Sequence, residues 1–137
     1  MNNHSTSAPL QFHSVATLGD LLQRRGSLMG DQPAFAFLGT DLNVSQTDSF
    51  GTLWASAQSL AQRLRQSVPG PSIAGQKILV VLPPGLAFVR AIWAVWYAGA
   101  VAVPCPPPDH QAALTRLQTI VQHADCHIAI TTADFSR

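Results

Sequence analysis

His123, Cys126 and His127 make an H-x-x-C-H cluster, the densest group of metal-ligating side chains in this chain. A structural zinc site takes four ligands, usually as two separated pairs. His4, His13 and His110 are scattered and Cys105 is distant, so no second pair is offered. Position at the end of a helix and the start of a strand accounts for the trio without a metal. Cys105 lies between prolines, with no neighbouring residue set up as the base a thiol nucleophile needs. A packed or partly exposed thiol is the simpler reading. Asp109 and Asp125 have no spacing that would pair carboxylates for acid–base work. Trp54, Trp93 and Trp96 fall on helical stripes and read as core, not as a stacking platform. A phosphate loop needs several glycines between a strand and a helix, so that backbone N–H groups can surround the anion. Here that turn is Pro83-Pro84-Gly85, and prolines have no N–H to offer. The residues by themselves therefore assign no catalytic, no cofactor-binding and no metal-binding position.

The elements around these residues are easier to read. Ile78 to Leu82 is a short apolar run rich in β-branched residues, as in a strand covered on both faces. Pro83 and Pro84 stop it and Gly85 turns the chain. From Leu86 to Ala98 the spacing becomes helical. Phe88, Ile92, Val95 and Trp96 share a face, Trp93 and Tyr97 are four apart, and apolar residues cover nearly the whole circumference. This helix is expected to be buried on most sides, with Trp93 and Trp96 against protein. Gly99 sits where a left-handed helix cap belongs. Val101 to Val103 reads as a second strand, closed by Pro104. The order is one βαβ unit of a parallel sheet. A membrane span from Leu86 to Val103 is disfavoured, because Gly99 and the β-branched run break the helix short of the roughly 20 residues a span requires.

Elsewhere, Thr17 and Asp20 suit a helix capping box, Leu18, Leu21, Leu22 and Leu28 form an apolar stripe, and Gly30 is the expected stop. Ala34 to Leu38 reads as a strand and Asn43 to Thr47 as its weaker partner, joined by a turn over Gly39 to Leu42. Asp48 or Ser49 caps the next helix, where Phe50, Leu53, Trp54, Ala57, Leu60, Ala61 and Leu64 keep helical spacing without a miss. Val68 to Gly75 and Pro106 to Asp109 are loops. Leu114 to Ala124 reads as a last amphipathic helix and His127 to Thr131 as a last strand. The alternation from residue 49 onward calls for an α/β fold: a mostly parallel sheet with flanking helices. Sequence that stops just after a strand reads as the first part of a larger domain.

The 137 residues suffice for one domain, and 47% of them are hydrophobic. Formal net charge is +1, with no glutamate, a single lysine (Lys77) and no basic cluster of the kind a nucleic-acid surface requires. Two cysteines without a secretory signal suggest reduced thiols and a cytoplasmic location. Residues 1–14, rich in Ser, Asn and His, read as a flexible leader, and 15–137 as the α/β portion.

Several stretches resemble the opening region of the adenylate-forming enzymes, and within them the fatty-acyl-AMP ligases. The similarity is specific over Leu82-Pro83-Pro84-Gly85, Tyr97-Ala98-Gly99-Ala100-Val101-Ala102-Val103-Pro104 and Pro106-Pro107-Pro108. It is looser over Thr17 to Met29, Gly30 to Ala34, Phe50 to Leu64 and Leu114 to Ile130. Ser49 to Leu53 departs from the family by lacking an acidic residue.

The resemblance implies a parent enzyme that joins a fatty acid to AMP, using ATP and Mg²⁺, and passes the acyl group to an acyl carrier protein, as in polyketide or lipopeptide biosynthesis. It implies that this chain is the N-terminal structural segment of the adenylation domain, with the remainder of that domain as partner, no nucleic acid and no transmembrane segment. The family's phosphate loop, Mg²⁺-binding acid, ribose-binding aspartate and C-terminal lysine have no matching position here, and Lys77 is not that lysine. An acyl-CoA synthetase, an amino-acid adenylation domain and a free-standing, non-catalytic α/β interaction module stay open as alternatives.

Overall fold

The computed structural model describes residues 15–133. The leader expected over 1–14 lies outside them. The elements are α1 (Leu18–Leu28), β1 (Pro33–Leu38), β2 (Val44–Ser49), α2 (Phe50–Ser67), β3 (Lys77–Val81), α3 (Leu86–Tyr97), β4 (Val101–Cys105), α4 (Gln111–Ala124) and β5 (Ile128–Thr131). β1 and β2 pair antiparallel, while β4, β3 and β5 form a parallel sheet in that order. The fold is the α/β arrangement expected, with a separate hairpin in front of the parallel sheet.

β3 is the centre of the molecule, and its alternation distributes the core. Ile78, Val80 and Leu82 face α2 and α3, where Ala61, Leu64, Ile92 and Val95 are buried with them. Leu79 and Val81 face the other way, joining Cys105, Cys126 and the half-buried Leu117, Ile120 and Val121 of α4. A strand covered on both faces has no polar side to show, which is why its sequence is a continuous apolar run. A third cluster, Leu22, Leu53, Ala57 and Ala94, joins α1 to α2 and α3.

The local signals act as their chemistry requires. The Thr17 hydroxyl accepts from the Asp20 N–H, and the Asp20 carboxylate accepts from the Thr17 N–H, each at 3.1 Å. Gly99 adopts φ 82°, the left-handed turn that lets the chain leave α3 and enter β4.

Three expectations are corrected, and the choice of cap for α2 is resolved. α1 ends at Leu28 with Met29 as its cap, so Gly30 is not the stop, and Leu18 and Leu28 of its presumed stripe are exposed. Ser49 alone caps α2, its hydroxyl accepting from the Thr52 N–H at 3.2 Å. β4 runs through Pro104 to Cys105, because an edge strand tolerates a proline that donates nothing to the ladder. Trp96 is 38% exposed. It leans edge-on against Trp93, ring centroids 5.4 Å apart.

Candidate functional site

Parallel α/β sheets place ligands in crevices outside the carboxyl ends of their strands. Here that end carries the Pro83-Pro84-Gly85 turn after β3, Cys105 and Pro106 after β4, and Thr131 at the end of β5. Gly85 occupies the N-cap of α3, and no side chain caps that helix.

Beside the turn lies an open apolar groove of about 540 Å³. Phe35 and Phe37 of the hairpin form one wall, Phe88 and Val89 of α3 another, and Pro84 and Pro104 the floor. Cys105 is its only heteroatom-bearing side chain, and burial pushes that thiol above its ordinary pKa, against the pull of Arg116. The groove can seat apolar groups. Among the described residues it is lined by no base, acid or charged donor with which to transform them.

The structure disperses the residues with chemical potential. Cys126 is buried, and burial raises its pKa, whereas the side chains of Asp125 and His127 are exposed and paired with one another at 3.2 Å. Asp109 pairs with its neighbour His110 in open solvent, and that hydrogen bond holds the Asp109 carboxyl below its usual range. Cys105 lines a smaller pocket with His110 and Arg116, yet is itself only 5% exposed, the setting of an inert thiol. Among the described residues, no three His, Cys, Asp or Glu side chains converge on a point that could hold a metal ion. Nor is any helix among them long and apolar enough to cross a membrane.

Sequence reading missed the strongest polar contact. Arg90 of α3 donates from Nε to Asp48 Oδ2 at 2.7 Å and from Nη2 to Asp48 Oδ1 at 2.6 Å. The Asp48 side chain is 1% exposed and that of Arg90 39%. The hydrogen bond to the carboxylate raises the Arg90 pKa still further, so the guanidinium stays charged. A lone arginine on an apolar helix was the available signal, since a charge kept there needs a partner. Only the fold shows that the partner ends β2.

Comparison with known proteins places this geometry. Residues 22–137 match the AMP-binding enzyme family. The chain is 33% identical over 125 residues to a medium-chain-fatty-acid–[acyl-carrier-protein] ligase of Moorena producens, covering 89% of this chain and 20% of that protein. It is 27% identical over 123 residues to a 4-hydroxyphenylalkanoate adenylyltransferase of Mycobacterium marinum, covering 88% and 19%. The structure superposes on a fatty acid AMP ligase from Legionella pneumophila with a TM-score of 0.82 at 26% identity, over 93% of this chain and 22% of that one. The chain thus spans about a fifth of the length of these relatives. On the family match over residues 22–137 and this shared fold, the chain belongs to the AMP-binding, adenylate-forming enzyme family, among relatives that include fatty-acyl-AMP ligases.

Proposed function

We propose that residues 15–137 form the N-terminal structural part of an adenylation domain, in an enzyme that activates a fatty acid as its acyl-adenylate and delivers the acyl group to a carrier protein. The observation that carries this reading is the 33% identity to a ligase named for both a medium-chain fatty acid and an acyl carrier protein, over nearly all of the described fold. In that enzyme ATP supplies the adenylyl group and Mg²⁺ balances its phosphate charge. The residues present do not fit either one. The turn after β3 has two prolines where a phosphate cradle needs N–H groups. Among the described residues the one buried carboxylate, Asp48, is taken by Arg90. No chemical step is therefore assigned to this chain. Its contribution is the parallel sheet, the locked hairpin and the apolar groove against which the rest of the enzyme is built.

The test is acid-dependent exchange of pyrophosphate into ATP by the full-length enzyme, followed by transfer with carrier protein and CoA offered together. Exchange with fatty acids and delivery to the carrier are the expected results. Exchange with amino acids only, or transfer to CoA only, would overturn the substrate or the acceptor respectively. Exchange catalysed by residues 1–137 alone would overturn the structural role.

A further inference from the structure

A second crevice opens at the same end of the sheet, on the α2–α3 side, with a volume of about 680 Å³. Its position follows from topology. From β3 the chain passes over α3 to β4 on one side, then over α4 to β5 on the other side of β3. α3 and α4 pack on opposite faces. The strand order therefore reverses between β3 and β5, and such a switch point is where doubly wound sheets hold ligands. Leu82, just after β3, and Thr131, at the end of β5, both line this crevice.

Its polar lining is of one kind. Ser56, Ser59 and Arg63 share a face of α2 at helical spacing, Arg90 comes from α3, and Thr131 and Thr132 from the end of β5. Asp48 uses Nε and Nη2 of Arg90, fewer donors than a guanidinium carries. Arg63 is exposed, and its guanidinium has no partner among the described residues. Thr131 Oγ1 is shielded from solvent without a hydrogen-bond partner in the protein. Shielded hydroxyls without partners are rare and call for an explanation. A planar guanidinium beside clustered hydroxyls matches the several acceptor oxygens of a phosphate group. Among the described residues no carboxylate lines the crevice, and Asp48, beside it, is occupied by Arg90.

We propose that this crevice binds the phosphate group of a small phosphorylated ligand without a metal, through Arg63, Arg90 and the hydroxyls of Ser56, Ser59 and Thr131. The site does not depend on the activity proposed above.

The test titrates the full-length protein with inorganic phosphate at constant ionic strength and with EDTA present, followed by calorimetry. Arg63→Gln should weaken phosphate at least tenfold and Thr131→Val several-fold. Arg116→Gln, an exposed cation on α4, should leave affinity unchanged, and acetate should compete at least tenfold less well than phosphate. Absence of binding to the wild type, equal losses in Arg63→Gln and Arg116→Gln, or equal competition by acetate would each overturn the proposal. So would a lack of phosphate binding with a lower melting temperature for Arg63→Gln. That pattern would assign the crevice to an acidic segment of the protein itself.

Discussion

Arg90 holds Asp48 from outside: the carboxylate is sealed in, and the guanidinium that neutralises it stays partly open to water. The pair bolts the end of the β1–β2 hairpin to the crossover helix of the parallel sheet across 42 positions of sequence. Because the two groups are unequally buried, the two halves of the pair should behave differently on mutation.

Arg90→Met should destabilise the protein by about 2–4 kcal/mol, since it leaves a buried carboxylate uncompensated, at the lower side of the range for buried pairs because one partner is half in solvent. Adding Asp48→Ala to that variant should recover part of the loss. Urea denaturation of the two single variants and the double variant measures this. Additive losses would show that the ion pair does not couple hairpin to helix.

The tryptophans and the core should respond in opposite order to their size. Trp96 is 38% exposed, so Trp96→Ala should cost only about 1 kcal/mol, mostly the edge contact with Trp93. Leu53 is completely buried, and Leu53→Ala should cost about 3 kcal/mol. Denaturation midpoints ranked the other way would mean that α3 turns its Trp96 side inward.

Gly99 has a positive φ and open space around it, the nearest atom to an added Cβ being Ala74 Cβ at 3.8 Å. A side chain there meets strain without a clash. Gly99→Ala should cost about 1–2 kcal/mol, the left-handed penalty alone. Gly26→Ala is a different case, because its Cβ would fall 2.7 Å from the Trp54 ring, and α1 would have to shift from α2. A larger melting-temperature loss for Gly26→Ala than for Gly99→Ala is the expected result.

Both thiols should be silent in the folded state. Cys105 and Cys126 are buried and burial raises each pKa above its ordinary 9.0. A raised pKa means that the folded state holds its proton more tightly than the unfolded chain. The associated stability is fully present below pH 9.0 and is lost as pH climbs through the raised values. The decline of stability above that pH should be shallower in a Cys105→Ala/Cys126→Ala variant than in wild type. A chromogenic disulfide reagent should modify the native thiols slowly and the denatured ones at once. Rapid native labelling would show that the α4 face of the sheet opens.

Much of this molecule is written locally. The continuous apolar run of β3 demands cover on both faces. The Pro83-Pro84-Gly85 turn, the left-handed Gly99 and the Thr17–Asp20 box each obey forces that act within a few residues. So do the amphipathic stripe of α2 and the βαβ order they produce, while the family was suggested by the resemblance carried by Leu82 to Gly85, Tyr97 to Pro104 and Pro106 to Pro108.

The tertiary structure decided the rest, because it depends on which distant surfaces meet. Asp48 reads as a possible helix cap until the hairpin brings it to Arg90, and Trp96 reads as core until the neighbours of α3 are seen to leave it 38% exposed. Strand order is equally silent in a sequence of alternating elements. Putting β5 beside β3 instead of β4 creates the switch point, and it gathers Arg63, Arg90 and Thr131 from three elements that share no local signal. Periodicity records how much of an element is buried; the partner that buries it is chosen only when the chain closes on itself.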